Sequence, residues 1–464
     1  MLFSSITFLY YFFPVVLILY FAVPKRLKNT VLLLTSLVFY AWGEPKYVFL
    51  MVFSIICGYI CGLLIEKFRG KPASKISLIA SCVISLSMLC YFKYADFFIT
   101  NFNTATGLSL PLLKLALPIG ISFYTFQILS YTVDVYRGDV PAQRNPVNLA
   151  AYVTMFPQLI AGPIVRYSDV AKQLAERSHS IDKTACGIRR FICGLSKKIF
   201  IANVLGELAG LFLASRQQSV LYCWMYAAAY SLQIYFDFSG YSDMAVGLGK
   251  ILGFDFMENF NYPYISSSIT EFWRRWHISL GSWFRDYVYI PLGGNRVSKL
   301  KWFRNIFVVW MLTGFWHGAD WNFIVWGLYF AFFLILEKLW LGKFLSKYKA
   351  IGHCYVLVAV MISFVIFGMP DFGLAFDCIK GMFGMNGLPL ATAETFYYLR
   401  SYAVIFAIAL IGATPLPKKL YTMAEKKFTA VTAIVEPVAI VILFLLATAY
   451  LVDGSFNPFL YFRF

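Results

Sequence analysis

The chain has 464 residues, of which 60% are hydrophobic, 19% are aromatic and 14% are charged. This is more apolar surface than one soluble core can bury, so the composition excludes an ordinary soluble domain and predicts a membrane protein with several spans. The formal net charge of +17 does not indicate nucleic-acid binding, because the basic residues stand between apolar runs instead of forming one stripe.

Apolar runs that could cross a bilayer recur along the whole chain. A spanning helix needs roughly 20 mostly apolar residues to cross about 30 Å of hydrocarbon. We therefore expect an all-α polytopic fold with roughly ten to twelve transmembrane helices. The clearest runs are 8–23, 48–65, 76–92, 322–339 and 435–452. Shorter or Gly/Pro-interrupted runs are 30–42, 115–135, 199–214, 221–238, 305–317, 355–369 and 402–411.

The first apolar run and the basic loops predict a topology. No basic leader precedes the first run and no cleavage pattern follows it, so we expect it to remain as an anchor. Basic residues cluster between the runs, and the positive-inside rule places those loops in the cytoplasm. With an even number of spans, both termini then lie outside and 371–395 is the longest external loop.

The nine cysteines do not indicate a disulfide framework or a zinc site. They are scattered, mostly within apolar runs, without a CxxC pair or a histidine at ligand spacing. No fixed-period repeat and no long linker divides the chain. We therefore expect a single membrane domain over residues 1–464 without a metal site.

Polar residues within apolar runs are the first functional candidates, because unpaired polar groups are costly in a membrane. In the run 117–138, Gln127, Tyr131 and Asp134 recur at helical spacing and share one face of a helix. Hydrogen bonding between helices explains this face better than catalysis does.

A second polar face lies in the run 232–250. Gln233, Asp237 and Tyr241 share it, and Asp243 lies close by. The two carboxylates could form a proton path, or they could neutralise arginines on a neighbouring element. Ion pairing is the favoured explanation, because an unpaired buried carboxylate costs several kcal/mol or becomes neutral.

The segment 259–296 is too polar to cross the bilayer and too aromatic for a solvated loop. An amphipathic or re-entrant element at the cytoplasmic interface fits, with tryptophans at the headgroup level and arginines facing water or anions. Two of the arginines, Arg274 and Arg275, are also the expected partners of the two carboxylates. The tryptophans are Trp273, Trp276 and Trp283, and the arginines are Arg274, Arg275 and Arg285.

Two of the four histidines stand in the same polar region. His277 lies within the arginine-rich stretch, and His317 follows Trp316 near the end of an apolar run. One buried histidine is more often a hydrogen-bonded core residue than a catalyst, but two histidines beside tryptophans make the two roles equally favoured. The other two, His179 and His353, occur in loop contexts without a polar cluster and are expected to be bystanders.

The residues around His317 predict a tight junction between helices. Gly314 and Gly318 form a small-xxx-small pair that lets another helix approach closely. His317 is then buried and neutral. Asp320 lies one turn further on, and its carboxylate could orient the imidazole if the helix continues.

Six motifs occur in order along the chain. They are FYAWGEPKY (39–47), LPIGISFYTFQ (117–127), FPQLIAGPIVRY (156–167), FDFSGYSDMAVGLG (236–249), ENFNYPYISSSITEFWRRWHISLGSWFRDYVYIPLGGNR (258–296) and GFWHGADWNF (314–323). These motifs resemble those of the membrane-bound O-acyltransferase family, and the long fifth motif is specific, because a chance match of that length is not credible. The resemblance extends to about residue 330 with a core over about 115–330, and it favours the bacterial branch typified by the membrane subunit of alginate O-acetyltransferase.

The resemblance implies a helical core around a tunnel, with an acyl donor arriving from the cytoplasm and a hydroxyl acceptor from the opposite side. The family's characteristic histidine falls on His317, and its second polar position falls on His277. Transfer from a thioester to an alcohol needs a base near the hydroxyl and stabilisation of the tetrahedral oxyanion. We expect His317 to be the base, while His277, tryptophan N–H groups or backbone amides hold the oxyanion.

Phosphate binding and topology explain the arginines equally well. The guanidinium groups of Arg274, Arg275 and Arg285 could receive the phosphates of coenzyme A, and the positive-inside rule accounts for the same charges without a ligand. The residues expected to support the two histidines are Asp320, Trp316, Asp237, Asp243 and Gln127.

The resemblance implies a membrane O-acetyltransferase of the bacterial cytoplasmic (inner) membrane. It moves acetyl groups from cytosolic acetyl-CoA across the membrane for O-acetylation of an exported or cell-wall polysaccharide. Acetyl-CoA is then a substrate, and no bound cofactor is expected. Because no soluble domain is large enough to grip a polymer, an extracytoplasmic partner resembling SGNH serine hydrolases is expected to deliver the group to the polysaccharide. Membrane lipid surrounds the spans.

Other functions stay open at this point. Within the same chemistry they are D-alanyl transfer to teichoic acid and O-acylation of a lipid or protein. A proton-coupled transporter using Asp237, Asp243 and the histidines belongs to a different class. Such transporters usually contain inverted repeats with paired broken helices, and none is visible in the sequence.

Overall fold

The computed structural model describes residues 1–160, 162–215 and 217–454, and over these ranges every regular element is a helix. The predicted all-α class is therefore confirmed. Length and apolarity alone identify fewer spans than the roughly ten to twelve expected, because other apolar helices such as Thr7–Ala22 are shorter. The described helices that are long and apolar enough to cross a membrane are Val48–Lys67, Pro72–Thr106, Trp321–Lys347, Lys349–Gly368, Ala393–Gly412 and Thr429–Val452.

The chain divides into two compact units. The first comprises Met1–Phe191 and Met244–Met257, and the second comprises Ile192–Asp243 and Glu258–Phe464, apart from residues outside the described ranges. The single domain expected over residues 1–464 stays a prediction. Two helices, Ile181–Ser196 and Val220–Ile251, contribute residues to both units.

Turns and loops separate the helices of the first unit, and the connection 107–120 is a long one. The longest helix, Pro72–Thr106, begins with proline at its first position and ends at Gly107, whose φ of 73° is the left-handed conformation that terminates helices. The α-helices of this unit are Phe13–Ala22, Lys28–Gly43, Val48–Lys67, Pro72–Thr106, Ile121–Arg137, Pro146–Thr154, Phe156–Leu159 and Tyr167–Ala175.

The second unit contains short helices as well as long ones. Its α-helices are Asn203–Ala214, Ile269–Arg275, Ile278–Phe284, Lys299–His317, Trp321–Leu336, Gly342–Lys347, Lys349–Gly368, Phe372–Met382, Ala393–Gly412, Leu416–Lys427 and Thr429–Val452. Wider π-helical turns are Lys197–Ala202, Arg285–Tyr289 and Glu337–Leu341. The segment 371–395, expected to be the longest external loop, connects the candidate spans Lys349–Gly368 and Ala393–Gly412 and contains the short helix Phe372–Met382. Its position outside the membrane stays a prediction.

Glycines allow the closest helix contact in the second unit. Helices Lys299–His317 and Trp321–Leu336 meet where Gly314 packs against Gly327. A Cβ atom on Gly314 would lie 2.2 Å from the carbonyl oxygen of Phe323, so no other residue fits there without movement. The tight junction predicted beside His317 is confirmed.

Candidate active site

His277 lies at a sharp turn between two short helices. Helix Ile269–Arg275 ends before it, helix Ile278–Phe284 follows it, and its φ of 45° is in the left-handed region that few non-glycine residues adopt. The preceding loop holds the turn, because the carbonyl of Asn259 accepts a hydrogen bond from the Ile278 amide at 3.0 Å. Strain of this kind persists only where surrounding bonds maintain it, and it is common at functional sites.

The side chain of Asn259 binds the same turn. Its Oδ1 accepts hydrogen bonds from the backbone N of Ser279 at 3.1 Å and from Ser279 Oγ at 2.9 Å, and it lies 3.2 Å from Nδ1 of His277. All three residues are at most 2% exposed. Nε2 of His277 is buried and has no hydrogen-bond partner among the described residues. Burial lowers the pKa of His277 to about 3, so its imidazole is neutral near pH 7.

A cavity of about 690 Å³ adjoins His277. Most of its wall is apolar, and three indole rings contribute to it. Cavities of this size with a few polar groups in an apolar wall are typical of ligand sites. The lining tryptophans are Trp273, Trp302 and Trp310, and the lining cations are Arg274, Arg285 and Lys338.

The three arginines predicted to bind the donor have different surroundings. Arg274 and Arg285 are exposed and line the cavity, whereas Arg275 is not among its lining residues. The guanidinium of Arg275 binds Glu271 at 2.9 Å, and that of Arg285 binds the neighbouring Asp286. Among the described residues, Arg274 has no carboxylate partner, so its charge is available to an anion in the cavity. Donor binding by these arginines stays a prediction.

One tryptophan contacts both predicted catalytic histidines. The ring centroid of Trp316 lies 6.1 Å from that of His277 and 5.0 Å from that of His317. The structure therefore brings the three residues into one cluster, although 39 residues separate His277 from Trp316 in the sequence. Their catalytic and supporting roles stay predictions.

His317 ends helix Lys299–His317 and is 9% exposed. Its ring packs edge-on against Trp326 and Phe367, with centroids 5.1 Å and 5.3 Å away. His317 is not among the residues that line the cavity beside His277. A passage that reaches His317 from the cytoplasm therefore stays a prediction.

The expected relation between Asp320 and His317 is wrong. The helix ends at His317, and the backbone at Gly318 is extended, with φ of −160° and ψ of 158°. The next helix begins at Trp321, and Asp320 Oδ1 accepts a hydrogen bond from the Trp321 amide at its start. Asp320 is exposed and caps a new helix, so it does not follow His317 by one turn of a continuous helix.

Asp237 and Asp243 form ion pairs, as favoured from the sequence, but the expected partners are wrong. Lys198 Nζ lies 2.7 Å from Asp237 Oδ1, and the two side chains are 2% and 3% exposed. Lys197 Nζ lies 2.6 Å from Asp243 Oδ2. Lysines of the helical segment before residue 203, and not the arginines at positions 274 and 275, therefore neutralise these carboxylates.

Small residues explain this pairing. A Cβ atom on Gly240 would lie 2.7 Å from the carbonyl oxygen of Gly194. The two helical segments therefore approach closely at Gly240, which lies between the two aspartates in the sequence. Backbone contact at this point brings the lysines next to the carboxylates. Two consecutive lysines between apolar runs also fit the positive-inside rule. The sequence therefore did not distinguish lysines that pair with the aspartates from lysines that only set the topology.

Gln127 lies in the first unit, in helix Ile121–Arg137. Gln127, Tyr131 and Asp134 are 2%, 0% and 4% exposed, so the predicted common face is buried. The Tyr131 hydroxyl accepts a hydrogen bond from the Gln143 amide at 3.0 Å. This contact supports the structural explanation of the face, and a supporting role of Gln127 at the catalytic site stays a prediction.

Sequence reasoning missed two residues that hold the turn, Asn259 and Glu337. Glu337 is 6% exposed, and its carboxylate accepts hydrogen bonds from the amides of Ile269 and Thr270 and from the Thr270 hydroxyl. It thereby fixes the start of the short helix that leads to His277. A lone acid at the end of an apolar run was the available signal for Glu337, whereas Asn259 stands among many polar residues.

Two tryptophans of the segment 259–296 are packed inside the protein, and the expected position of this segment at the headgroup level stays a prediction. Trp276 and Trp283 are 4% and 6% exposed. The Trp276 ring stacks on Phe272 at 5.5 Å and meets Phe260 edge-on at 5.1 Å. Because an indole buries a large apolar area, packing against other aromatic rings stabilises these side chains in the protein interior.

The remaining histidines have polar partners, contrary to expectation. His353 lies in helix Lys349–Gly368, and its Nδ1 is 3.0 Å from the carbonyl oxygen of Ser266. His179 lies in a loop, and its Nε2 is 3.1 Å from the Tyr20 hydroxyl. Burial, together with nearby cations, lowers the pKa of His179. The cations are those of Lys28, Arg177 and Lys183.

No group of three or more His, Cys, Asp or Glu side chains among residues 1–160, 162–215 and 217–454 could hold a metal ion. The nine cysteines are all free thiols within the same ranges.

The fold and site define a class of protein: a multi-pass helical membrane protein with two histidines in one aromatic cluster beside a ligand-sized cavity. The model of the membrane-bound O-acyltransferase family matches residues 141–372, a range that includes both histidines. The chain belongs to the membrane-bound O-acyltransferase family.

Individual relatives match over large parts of the chain. The chain is 40% identical over 500 residues to a probable alginate O-acetylase of Azotobacter vinelandii, with 100% of both proteins covered. It is 36% identical over 427 residues to a peptidoglycan O-acetyltransferase of Helicobacter pylori, covering 84% of this chain and 81% of the relative. It is 32% identical over 270 residues to a teichoic acid D-alanyltransferase of Bacillus subtilis, covering 55% of this chain and 68% of the relative.

Proposed function

We propose that this protein takes acetyl groups from cytosolic acetyl-CoA and moves them across the membrane for O-acetylation of an exported or cell-wall polysaccharide. One observation carries the proposal: the cavity of about 690 Å³ combines cationic side chains with a buried, neutral His277. Guanidinium and ammonium groups suit the phosphates of coenzyme A. The aromatic wall suits its apolar pantetheine arm, and a neutral imidazole suits proton transfer.

The names of the relatives support the choice of acetyl group and acceptor. The Azotobacter protein is named for alginate and the Helicobacter protein for peptidoglycan, and both names describe O-acetyl transfer to a polymer of sugars. We extend this chemistry to the present chain, with a hydroxyl acceptor and a thioester donor. A base must take the hydroxyl proton, and the two histidines are the candidates.

A partner completes the proposed pathway. The described residues form helices of a membrane protein and no separate soluble domain that could hold a polymer. We therefore propose that an extracytoplasmic serine-hydrolase-like acetyltransferase receives the acetyl group and delivers it to the polysaccharide. The proposed location is the bacterial cytoplasmic membrane.

Two alternatives are ranked below this function. D-alanyl transfer to teichoic acid is favoured by the Bacillus relative, and the donor presented to the protein would distinguish it. A proton-coupled transporter is disfavoured, because Asp237 and Asp243 each form an ion pair with a lysine.

Membrane vesicles with the cytoplasmic face outward test the proposal. Supplied with acetyl-CoA labelled in the acetyl group, vesicles that contain the protein should release free coenzyme A and form labelled product. His317→Ala and His277→Ala should each abolish this turnover, and Asn386→Asp, a change at an exposed position, should retain it.

The outcomes separate the classes of function. Absence of thioester consumption by the unchanged protein would contradict acetyl transfer from acetyl-CoA. Turnover of a D-alanyl donor in its place would favour the Bacillus-like activity. Proton-coupled uptake that survives both histidine substitutions would favour the transporter.

A further inference from the structure

Two cations beside the first apolar helix have no acidic partner. The Lys28 ammonium lies 4.6 Å from the ring centroid of Tyr20, and the guanidinium carbon of Arg177 lies 5.8 Å from the same centroid. Both side chains are partly buried, and neither forms an ion pair with a carboxylate in the part of the chain that the structure describes. Burial, and then the charges of Arg177 and Lys25, lower the pKa of Lys28. Because these cations repel each other, an anion beside them is favourable.

His179 belongs to the same cluster. Its Nε2 lies 3.1 Å from the Tyr20 hydroxyl, and this hydroxyl donates to the carbonyl oxygen of Leu252 at 2.7 Å. The imidazole also packs edge-on against Phe21, with ring centroids 5.6 Å apart. The ammonium of Lys28 lies 5.0 Å from the centroid of the same Phe21 ring. The imidazole and the ammonium can therefore contact one anion.

An open groove of about 490 Å³ adjoins His179. The hydroxyls of Ser180 and Thr184 also form part of its polar wall. The Ser180 hydroxyl accepts a hydrogen bond from the Lys183 amide at 3.1 Å, so its own proton is free to be donated. The groove shares no residue with the cavity beside His277. Its apolar wall consists of Phe21, Ile181, Ala185 and Ile188.

The position of the groove along the first apolar helix indicates the source of the anion. The segment Thr7–Ala22 ends one residue after Phe21, and basic residues follow at 25–28. The positive-inside rule places this end at the cytoplasmic headgroup level. The side chains of Phe21, Ile181 and Ile188 are 48%, 88% and 45% exposed. A soluble phosphate would leave these side chains in water, whereas a phospholipid covers them.

We propose that this groove binds an anionic glycerophospholipid through its phosphate and one acyl chain. The phosphate is bound by Lys28, His179 and the groove hydroxyls, and Arg177 adds attraction at longer range. The acyl chain lies along the apolar wall. Because the site involves no acyl transfer, failure of the proposed function leaves this proposal unaffected.

Binding of the phosphate should raise the pKa of His179. Burial and the nearby cations lower this pKa, whereas an adjacent phosphate stabilises the imidazolium. Lys183 is paired with Asp255 at 2.6 Å, so Lys28 and Arg177 supply the unpaired positive charge. The charged and titratable groups around the ring are those of Tyr20, Lys28, Arg177, Lys183 and Asp255.

Nitrogen NMR of the full-length protein in micelles of a neutral detergent provides a signal from this site. Labelling with ¹⁵N reports all four histidines, and a His179→Gln sample identifies the signal of His179. Phosphatidylglycerol should shift this signal in a saturable way and raise its titration midpoint by about half a pH unit or more. Phosphatidylcholine with the same chains has no net charge, and glycerol phosphate has no acyl chain. Each should bind roughly tenfold more weakly.

Two substitutions alter the charge and the shape of the site separately. Lys28→Gln should raise the Kd for phosphatidylglycerol roughly fivefold, because one cation near the headgroup is lost. Lys75→Gln is the matched control, since it removes the same charge from an exposed position in the same unit, and its Kd should be unchanged. Ala185→Trp fills the groove at an exposed position without changing the charge, and it should weaken binding roughly tenfold.

Equal Kd values for phosphatidylglycerol and phosphatidylcholine would overturn the proposal. Equal Kd values for Lys28→Gln and Lys75→Gln would leave only the positive-inside rule to explain the lysine, and unchanged binding by Ala185→Trp would exclude the groove. Glycerol phosphate that binds as tightly as phosphatidylglycerol would assign the site to a soluble phosphate and not to a lipid. Thermal unfolding in the same detergent shows that each variant is folded, and if one variant unfolds, the other still decides the result.

Discussion

At the scale of single residues, substitutions of two adjacent arginines can distinguish a role in donor binding from a role in membrane topology. Arg274 lines the cavity without a carboxylate partner among the described residues, whereas Arg275 is bound to Glu271. Arg274→Gln should raise the KM for acetyl-CoA roughly tenfold, which corresponds to about 1.4 kcal/mol of a charge-assisted contact. Arg275→Gln removes the same charge and should leave this KM nearly unchanged. Equal effects in steady-state kinetics would mean that only the positive-inside rule explains Arg274.

The buried imidazole of His277 also predicts a pH dependence of stability. Its pKa is about 3 in the folded protein and 6.5 ordinarily, so between these values the unfolded chain binds a proton that the folded chain does not. The free energy of unfolding should therefore fall by about 1.4 kcal/mol per pH unit as the pH drops below about 6.5. His277→Gln removes this contribution. Thermal unfolding in detergent at pH 7.5 and pH 5.5 checks it, and equal losses for both proteins would contradict it.

His277 and His317, the two predicted catalytic residues, could be singled out from residue types together with the family resemblance. The contact between the His277 ring and Asn259 could not, because it depends on an amide 18 residues earlier whose oxygen meets the ring only in the folded turn. The ionic partners of Asp237 and Asp243 also could not be identified from the sequence. Many cations could form an ion pair with a carboxylate. The backbone contact at Gly240 determines which cations lie next to these two.

At the scale of secondary-structure elements, Glu337 should control the turn that carries His277. Glu337→Ala leaves the buried amides of Ile269 and Thr270 without an acceptor, at a cost of about 1–3 kcal/mol for each unsatisfied group. We expect a clear loss of thermal stability in detergent together with a fall in acetyl-CoA turnover. Glu337→Gln retains one acceptor oxygen and should show a smaller loss.

Glu425, an exposed acid on helix Leu416–Lys427, provides the control for this change. Glu425→Ala should have almost no effect on either measurement. If Glu337→Ala were as stable and as active as Glu425→Ala, the carboxylate of Glu337 would not hold the start of helix Ile269–Arg275.

The sequence predicted an irregular element over residues 259–296 because that segment is neither apolar enough to span nor polar enough to be solvated. It could not predict where the helices break. The end of the helix at His317 and the new start at Trp321 depend on an extended backbone at Gly318 and on the cap from Asp320. Both features are decided by how the two helices pack at Gly314 and Gly327.

At the scale of the whole molecule, composition was sufficient to predict a helical membrane protein. It was not sufficient to predict the number of spans. Hydropathy measures apolarity, and it does not distinguish a helix surrounded by protein from a helix surrounded by lipid. The most apolar part of Lys349–Gly368 is 50% buried, whereas that of Thr429–Val452 is 6% buried, although the mean hydropathies are 2.3 and 2.5. Tertiary packing alone separates them.

In the proposed function, acetyl passes from a thioester at the cavity beside His277 to a hydroxyl across the membrane. Sealed membrane vesicles of one orientation, with labelled acetyl-CoA confined to the cytoplasmic face, test it most directly. We expect labelled ester on the opposite face while the coenzyme stays on its own side, with loss of the ester in His277→Gln. Ester formation by His277→Gln at the unchanged rate, or label that appears only on the side of the donor, would rule out acetyl transfer across the membrane at this site.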